Sequence, residues 1–337
     1  MIDLKVKYMG LELKNPIIVG ASNLTTDIKN LKRMEAAGAA AIVYKSLFEE
    51  QIQLENLEMH EAMAEYEERH AEMRSLFPDM SHAGPAEYLF NLKKAKESVT
   101  IPVFASLNAV YSESWVEYAK KIQQTGVDGI ELNFYAIPDK FETEGKSIED
   151  KQIEIVKQVK AAVTIPISVK LSPYYSNTLK VIADMEKAGA SAFVLFNRLF
   201  QPDIDIDKEE HHFPYNLSNE EDKRLAIRFS GLLFGNIKAN ISANTGIFTG
   251  RDAVKMILAG ADCVQVVSTL YKNQIDIISF LIQEIENFMK DKGYNTINDF
   301  KGKLSKKNAK DRFAYKRAQY IDILLKSDEI LKKYPMV

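Results

Sequence analysis

Eight short apolar runs, alternating with amphipathic stretches, predict an α/β chain folded as a (β/α)8 TIM barrel. Two further observations support that class. Each run is rich in β-branched or aromatic residues and bounded by Gly, Pro, Asp or Ser, as strands buried on both faces are. The turn after the first run, "VGASNL", lacks the G-x-G-x-x-G spacing that an open doubly wound sheet usually carries there.

In chain order the predicted strands are 16–22 ("PIIVGAS"), 40–46 ("AAIVYKS"), 101–108 ("IPVFASLN") and 128–134 ("DGIELNF"), then 165–172 ("IPISVKLS"), 191–197 ("SAFVLFN"), 237–246 ("IKANISANTG") and 262–268 ("DCVQVVS"). Helical patterns lie between them, among them Asp27–Ala37, Glu113–Thr125, Glu149–Val163, Asn177–Ala188 and Arg251–Ala259. Several finish in "AAGAA", "TGVDG", "AGASA" or "AGADC", where glycine takes the left-handed position after a helix. Two connections are too long for simple barrel loops. Residues 47–98, after strand two, begin with a charged helical stretch; residues 199–234, after strand six, are rich in Asp, Glu and Asn. Long insertions at the C-terminal ends of barrel strands often form lids or substrate walls, so both are expected to serve the site of a single domain spanning 1–337. The lysine-rich segment after Lys301 predicts a helical surface tail over about 301–337.

Composition narrows the function. The chain is 46% hydrophobic and 27% charged, enough apolar matter for a real core. A net charge of −3 gives no electrostatic footprint for nucleic acid. The single cysteine, Cys263, excludes an internal disulfide and fits a reducing compartment. No stretch approaches the roughly 20 apolar residues of a membrane helix. Residues 1–15 lack the basic flank and apolar run of a signal peptide. A cytoplasmic protein with no membrane or nucleic-acid partner is expected.

Barrel chemistry sits where strands end. There the sequence places Ser22, Lys45 with Ser46, Ser106 with Asn108, Asn133, Lys170, Asn197, Asn244 with Thr245 and Gly246, and Ser268 with Thr269. A lysine closing an apolar strand is costly to bury alone. One lysine is explained by snorkelling to the rim; two, at strands two and five, point to an anionic or electron-accepting ligand. Asn133 and Asn197 would offer amides to a planar heteroaromatic edge. The small residues after strands seven and eight suit a phosphate cradle, a feature many unrelated barrels share with plain turns. His60 lacks the second histidine of a zinc helix, and His211–His212 in an acidic stretch reads as a solvated loop. Cys263 opens strand eight, far from its loop end, in a packing role.

These residues in this order resemble the dihydroorotate dehydrogenase family of FMN-containing barrels. The resemblance spans "LKNPIIVGAS", "YKS", "ELN", "VKLSPYY", "NTGIFTGRDAVKMILAGADCVQV" and, near the C-terminus, "GYNTINDFKGKL", which is similar to the soluble class. The apolar N-terminal extension of the membrane-associated class is not seen. The resemblance implies pyrimidine biosynthesis, a possible homodimer, and FMN lined by Ala21, Ser22, Lys45, Ser46 and Asn133. Lys170 would sit by the pyrimidine end of the ring, where negative charge collects on reduction. Either Ser106 or Asn108 matches the strand-three contact. Thr245, Gly246, Ser268 and Thr269 would hold the phosphate, although glycine is commoner at the first position of each pair.

The substrate side departs from the family. Its strand-four loop carries a Cys or Ser that takes a proton from dihydroorotate; here Ala136 holds that position, or Ile137 after a shift of one. The orotate loop after strand two is replaced by "RSLFPDMSHAGPAEYL". Asn197 remains, but Arg198 stands where a Ser or Thr is usual. The expectation is an oxidoreductase impaired on dihydroorotate, or one acting on another small anionic substrate held by Lys45, Asn133, Asn197 and Arg198. Lys45 and Lys170 remain as catalytic candidates, with Tyr135 or water as a substitute base. The alternatives are a catalytically silent flavin-binding protein and a flavin-free lyase using Lys170 as a Schiff base.

Overall fold

The computed structural model describes residues 2–53, 85–135, 140–198, 202–212, 217–316, 318–325 and 331–332. Eight parallel strands close into a barrel: β1 (Ile17–Val19), β2 (Ala41–Phe48), β3 (Val103–Asn108), β4 (Gly129–Asn133), β5 (Ile167–Leu171), β6 (Ala192–Leu195), β7 (Asn240–Asn244) and β8 (Cys263–Val266). Seven fall within the predicted runs, and β2 continues two residues past its own, to Phe48. Sequence neighbours pair in register, as Asn133 with Lys170 and Ile241 with Phe193, and β8 closes on β1 through pairs such as Val264 with Ile17. The residues of β4, β5, β6 and β8 are buried throughout, because helices cover the outside and side chains fill the inside.

The covering helices are α1 (Ile28–Ala36), α2 (Pro85–Ser98), α3 (Ser112–Gln124), α4 (Gly145–Ala162), α5 (Thr178–Lys187), α6 (Lys223–Leu233), α7 (Gly250–Ala259) and α8 (Ile277–Lys292). Local chemistry marks their ends. The Asp27 carboxylate accepts from Lys29 N–H at 2.8 Å, and Thr249 and Asp252 form a capping box on α7. Gly38, Gly126, Gly189 and Gly260 follow helices with φ between +83° and +136°, the geometry expected of their motifs.

Two hairpins were not anticipated, and the tail departs from its expected form. An antiparallel hairpin, Val6–Tyr8 with Leu11–Leu13, turns at Met9 and Gly10, both at positive φ. The Tyr8 ring packs edge-on against Phe104 at 5.8 Å, and Met9 N–H donates to Asn240 Oδ1 at 3.0 Å. Phe104 and Asn240 stand at the entries of β3 and β7, so the hairpin stoppers the N-terminal mouth and leaves the other end for chemistry. A second hairpin, Asp203–Asp205 with Glu210–His212, projects from the connection after β6. The tail needs correcting: residues 301–312, expected as helix, run in turns strapped to α6 and α7, a 3-10 turn follows at Phe313–Tyr315, and α-helix begins at Ala318–Leu325. Lys306 N–H donates to Gly231 O, and Gly302 N–H to Ile257 O, each within 2.9 Å. No helix among the described residues is long and apolar enough to cross a membrane.

Candidate active site

At the C-terminal end of the barrel lies a cavity of about 310 Å³, within the range of small-molecule sites. Its wall brings together Ala21, Ser22, Lys45, Ser46, Asn133 and Lys170 from strands one, two, four and five. Asn197, Arg198, Thr245, Gly246 and Ser268 complete it from strands six to eight. Residues more than 200 positions apart in sequence thus share one chamber.

Lys45 and Ser46 are adjacent, and adjacent residues of a regular strand face opposite sides. Both line the cavity because β2 carries a bulge: Tyr44 pairs with Ala105 and Leu47 with Leu107, so β2 has one residue too many. The Tyr88 hydroxyl of α2 lies 2.8 Å from the Lys45 carbonyl and 3.2 Å from that of Ser106, clamping the irregularity. Ser106 itself stays behind the wall, its Oγ 2.7 Å from Ser46 Oγ. Asn108 ends β3 opposite Phe48, outside the lining.

Lys170 is the most enclosed cation of the site, with its side chain 9% exposed. Its Nζ lies 3.8 Å from Oε1 of Glu131, a carboxylate with 1% exposure. The other carboxylate oxygen, Oε2, accepts from Gln265 Nε2 at 2.7 Å. Strands β4 and β8 face each other across the barrel, so this bond runs through its axis. Neither Glu131 nor Gln265 was singled out in the sequence. The available signal was a charged residue inside an otherwise apolar strand, two positions before Asn133 and therefore on the same face.

On the side predicted to meet substrate, Asn197 Nδ2 donates to Asn133 Oδ1 at 2.6 Å, joining the two amides. Arg198 forms an ion pair with Asp222, next to α6, and each side chain is about a third exposed. Tyr135 is 37% exposed and is not part of the cavity wall. Ala136 and Ile137 lie outside the described residues, as does most of the segment standing in for the orotate loop.

At the predicted phosphate end, Thr245 and Gly246 both have positive φ, +75° and +73°. A β-branched residue rarely adopts that conformation, and the observed outlier marks a constrained turn. A Cβ at Gly246 would come within 2.5 Å of Lys223 N, so only glycine fits. Ser218, missed in the sequence, closes this end: its N–H donates to Ser268 Oγ at 3.0 Å, and its Oγ accepts from Gly246 N–H at 3.3 Å. Thr269 is fully buried, accepting from Asn273 Nδ2 at 3.1 Å, and does not line the cavity.

The donor set fits FMN. Two lysines and paired amides suit a flat ring that gains negative charge, and Gly20 and Gly246 are close approaches where a side chain would clash. Ser22 Oγ and Gln265 Oε1 are buried at the wall without a hydrogen-bond partner among the described residues, polar capacity that a ligand can use. Fold and site together define the class of FMN-dependent barrel oxidoreductases. The dihydroorotate dehydrogenase family model matches residues 3–289, and the chain belongs to that family. It is 29% identical over 306 residues to the catalytic subunit of dihydroorotate dehydrogenase B (NAD(+)) of Thermoplasma acidophilum, covering 90% of this chain and 99% of the relative. The corresponding subunit of Methanosarcina mazei is 31% identical, with 87% of this chain and 92% of the relative covered. Dihydroorotate dehydrogenase A (fumarate) of Lactobacillus helveticus is 28% identical over 60% of this chain and 68% of its own length.

Proposed function

We propose that the flavin side of this oxidoreductase follows the family while its substrate side does not, so that it is impaired on dihydroorotate and acts on another small anionic substrate. One observation carries this reading. Among the described residues the cavity wall presents Lys45, Lys170 and Arg198 but no cysteine, histidine or carboxylate that could take a proton, and its serines, Ser22, Ser46, Ser218 and Ser268, come from strands one, two and eight and the connection after strand six, none from the strand-four loop that carries the family's base. The sequence, with Ala136 at the usual base, supports the same conclusion.

Bound FMN would supply a two-electron acceptor for a hydride from the substrate. In this reading Ala21, Ser22, Lys45, Ser46 and Asn133 flank its ring, and Lys170 faces the pyrimidine end. Ser106 braces Ser46 from behind. Thr245, Gly246 and Ser268 hold the phosphate with Thr269 beside them. Lys45 and Arg198 orient the anionic group of the substrate, and the joined amides of Asn133 and Asn197 fix its edge. Arg198 keeps Asp222 as its partner, so an incoming carboxylate shares a guanidinium that is already positioned. A missing general base costs about 10²–10⁴-fold in rate, which is the impairment expected with dihydroorotate. The chain's only cysteine, Cys263, cannot form an iron–sulfur cluster, so electrons leave to a separate acceptor; a homodimer is the proposed assembly.

Anaerobic visible spectra of the purified protein, before and after adding dihydroorotate, test the reading. A flavin spectrum unchanged by dihydroorotate but bleached by another anionic metabolite is expected. Bleaching by dihydroorotate within seconds would overturn the proposed impairment. Absence of flavin after reconstitution with FMN would overturn the cofactor assignment.

A further inference from the structure

We infer that Glu131 is a positioning residue that sets the reduction potential of the bound cofactor by opposing the charge of Lys170; this rests on the reading that places FMN against Lys170. Glu131 is one of the most buried charged groups among the described residues, at 1% exposure, on the barrel axis beneath the cavity. An unpaired carboxylate there would be costly, yet among the described residues only one of its oxygens has a hydrogen bond, from Gln265. The other, Oε1, faces Lys170 Nζ at 3.8 Å, too far for a hydrogen bond and near enough for a strong Coulomb interaction. The lysine is therefore charge-balanced without being tied down by a close contact. Gln265 holds the carboxylate from the opposite strand, and its own Oε1 is left without a partner at the cavity wall.

This arrangement separates two functions. Lys170 lines the cavity and supplies a cation to whatever binds there. Glu131 lies behind it and weakens the field that cation projects. Reduction delivers two electrons and one proton to FMN and yields a singly charged anion of the ring, so the reduced form gains more from an unopposed lysine than the oxidised form does. Removing the carboxylate charge should therefore favour the reduced form and raise the potential.

The test is the midpoint potential of FMN bound to the full-length protein, read by anaerobic titration with xanthine and xanthine oxidase against reference dyes. For Glu131→Gln the affinity ratio of reduced to oxidised FMN should rise roughly tenfold, a rise of about 30 mV in the two-electron potential. Glu131→Asp, which retains the charge but withdraws it by one methylene, should give a smaller rise and serves if the glutamine variant does not fold. In a Lys170→Met background the effect of Glu131→Gln should fall by more than half. Potentials unchanged or lowered in both Glu131 variants would overturn the inference, as would an equal rise with and without Lys170. If the wild-type chain takes up FMN and only these shifts fail, the cofactor reading stands and this inference falls. If it takes up no FMN, both fall.

Discussion

Asp252 offers the most direct test of how the end of the cavity proposed to hold phosphate is built. Its carboxylate is 3% exposed and receives Lys223 Nζ at 2.9 Å, Lys255 Nζ at 3.2 Å, Thr249 Oγ1 at 2.9 Å and the N–H groups of Phe248 and Thr249. Burial disfavours its charge, but the hydrogen bonds from Lys223, Thr249, Lys255 and Phe248 outweigh burial and hold its pKa at about 2, below the ordinary 3.8. That depression corresponds to about 2 kcal/mol of stability. The sign is fixed by its direction: the contribution is complete above about pH 4 and is lost as pH falls through about 2.

Asp252→Asn removes this contribution and also strands Lys223, whose side chain is only 11% exposed. Breaking a buried pair from one side typically costs about 3–5 kcal/mol. Urea denaturation at pH 7 should show that loss, and the gap between wild type and variant should narrow as pH falls from 4 to 2. Adding Lys223→Met removes the stranded charge and should recover at least half of the loss. A variant within about 1 kcal/mol of wild type at pH 7, or a gap independent of pH, would refute the reasoning.

Gly246→Ala places a Cβ 2.5 Å from Lys223 N at a φ of +73°, so it should lower FMN affinity at least roughly tenfold, measured by fluorescence quenching on reconstitution. Tyr88→Phe removes the hydroxyl that clamps the β2 bulge and should cost about 1–2 kcal/mol in chemical denaturation; an unchanged midpoint would mean the bulge holds itself. Ala136→Cys restores a proton acceptor at the usual base position and should raise dihydroorotate turnover by about 10²-fold or more in stopped-flow flavin reduction. No gain would shift the blame to the altered loop after β2.

Much of the architecture was legible because barrel strands are buried on both faces and so appear as uninterrupted apolar runs. Lys45 and Lys170 stood out for the same reason: a cation breaks such a run. What escaped the sequence depends on contacts made at a distance. The bulge that turns both Lys45 and Ser46 inward shows only in pairing with β3. Glu131 became informative only once Gln265, 134 residues away, was seen bonded to it. Thr269 illustrates the opposite error. Two adjacent hydroxyl residues looked alike, but the short helix beginning at Ser268 turns Thr269 into the core and leaves Ser268 at the cavity. The segment after Lys301 was lysine-rich and suggested helix, yet backbone bonds to α6 and α7 hold its first part in turns.

The hairpin at residues 6–13 has a consequence for the order in which the chain can assemble. It is synthesised well before its partner, for Met9 finds its acceptor on Asn240, 231 residues later. Phe104 and Gly129, which it also covers, are synthesised well after it. The stopper must therefore wait, with Val6, Tyr8 and Leu13 exposed, until the barrel mouth exists to receive it. During that interval the hairpin is made but not yet seated, and it is where a chaperone would act on the nascent protein.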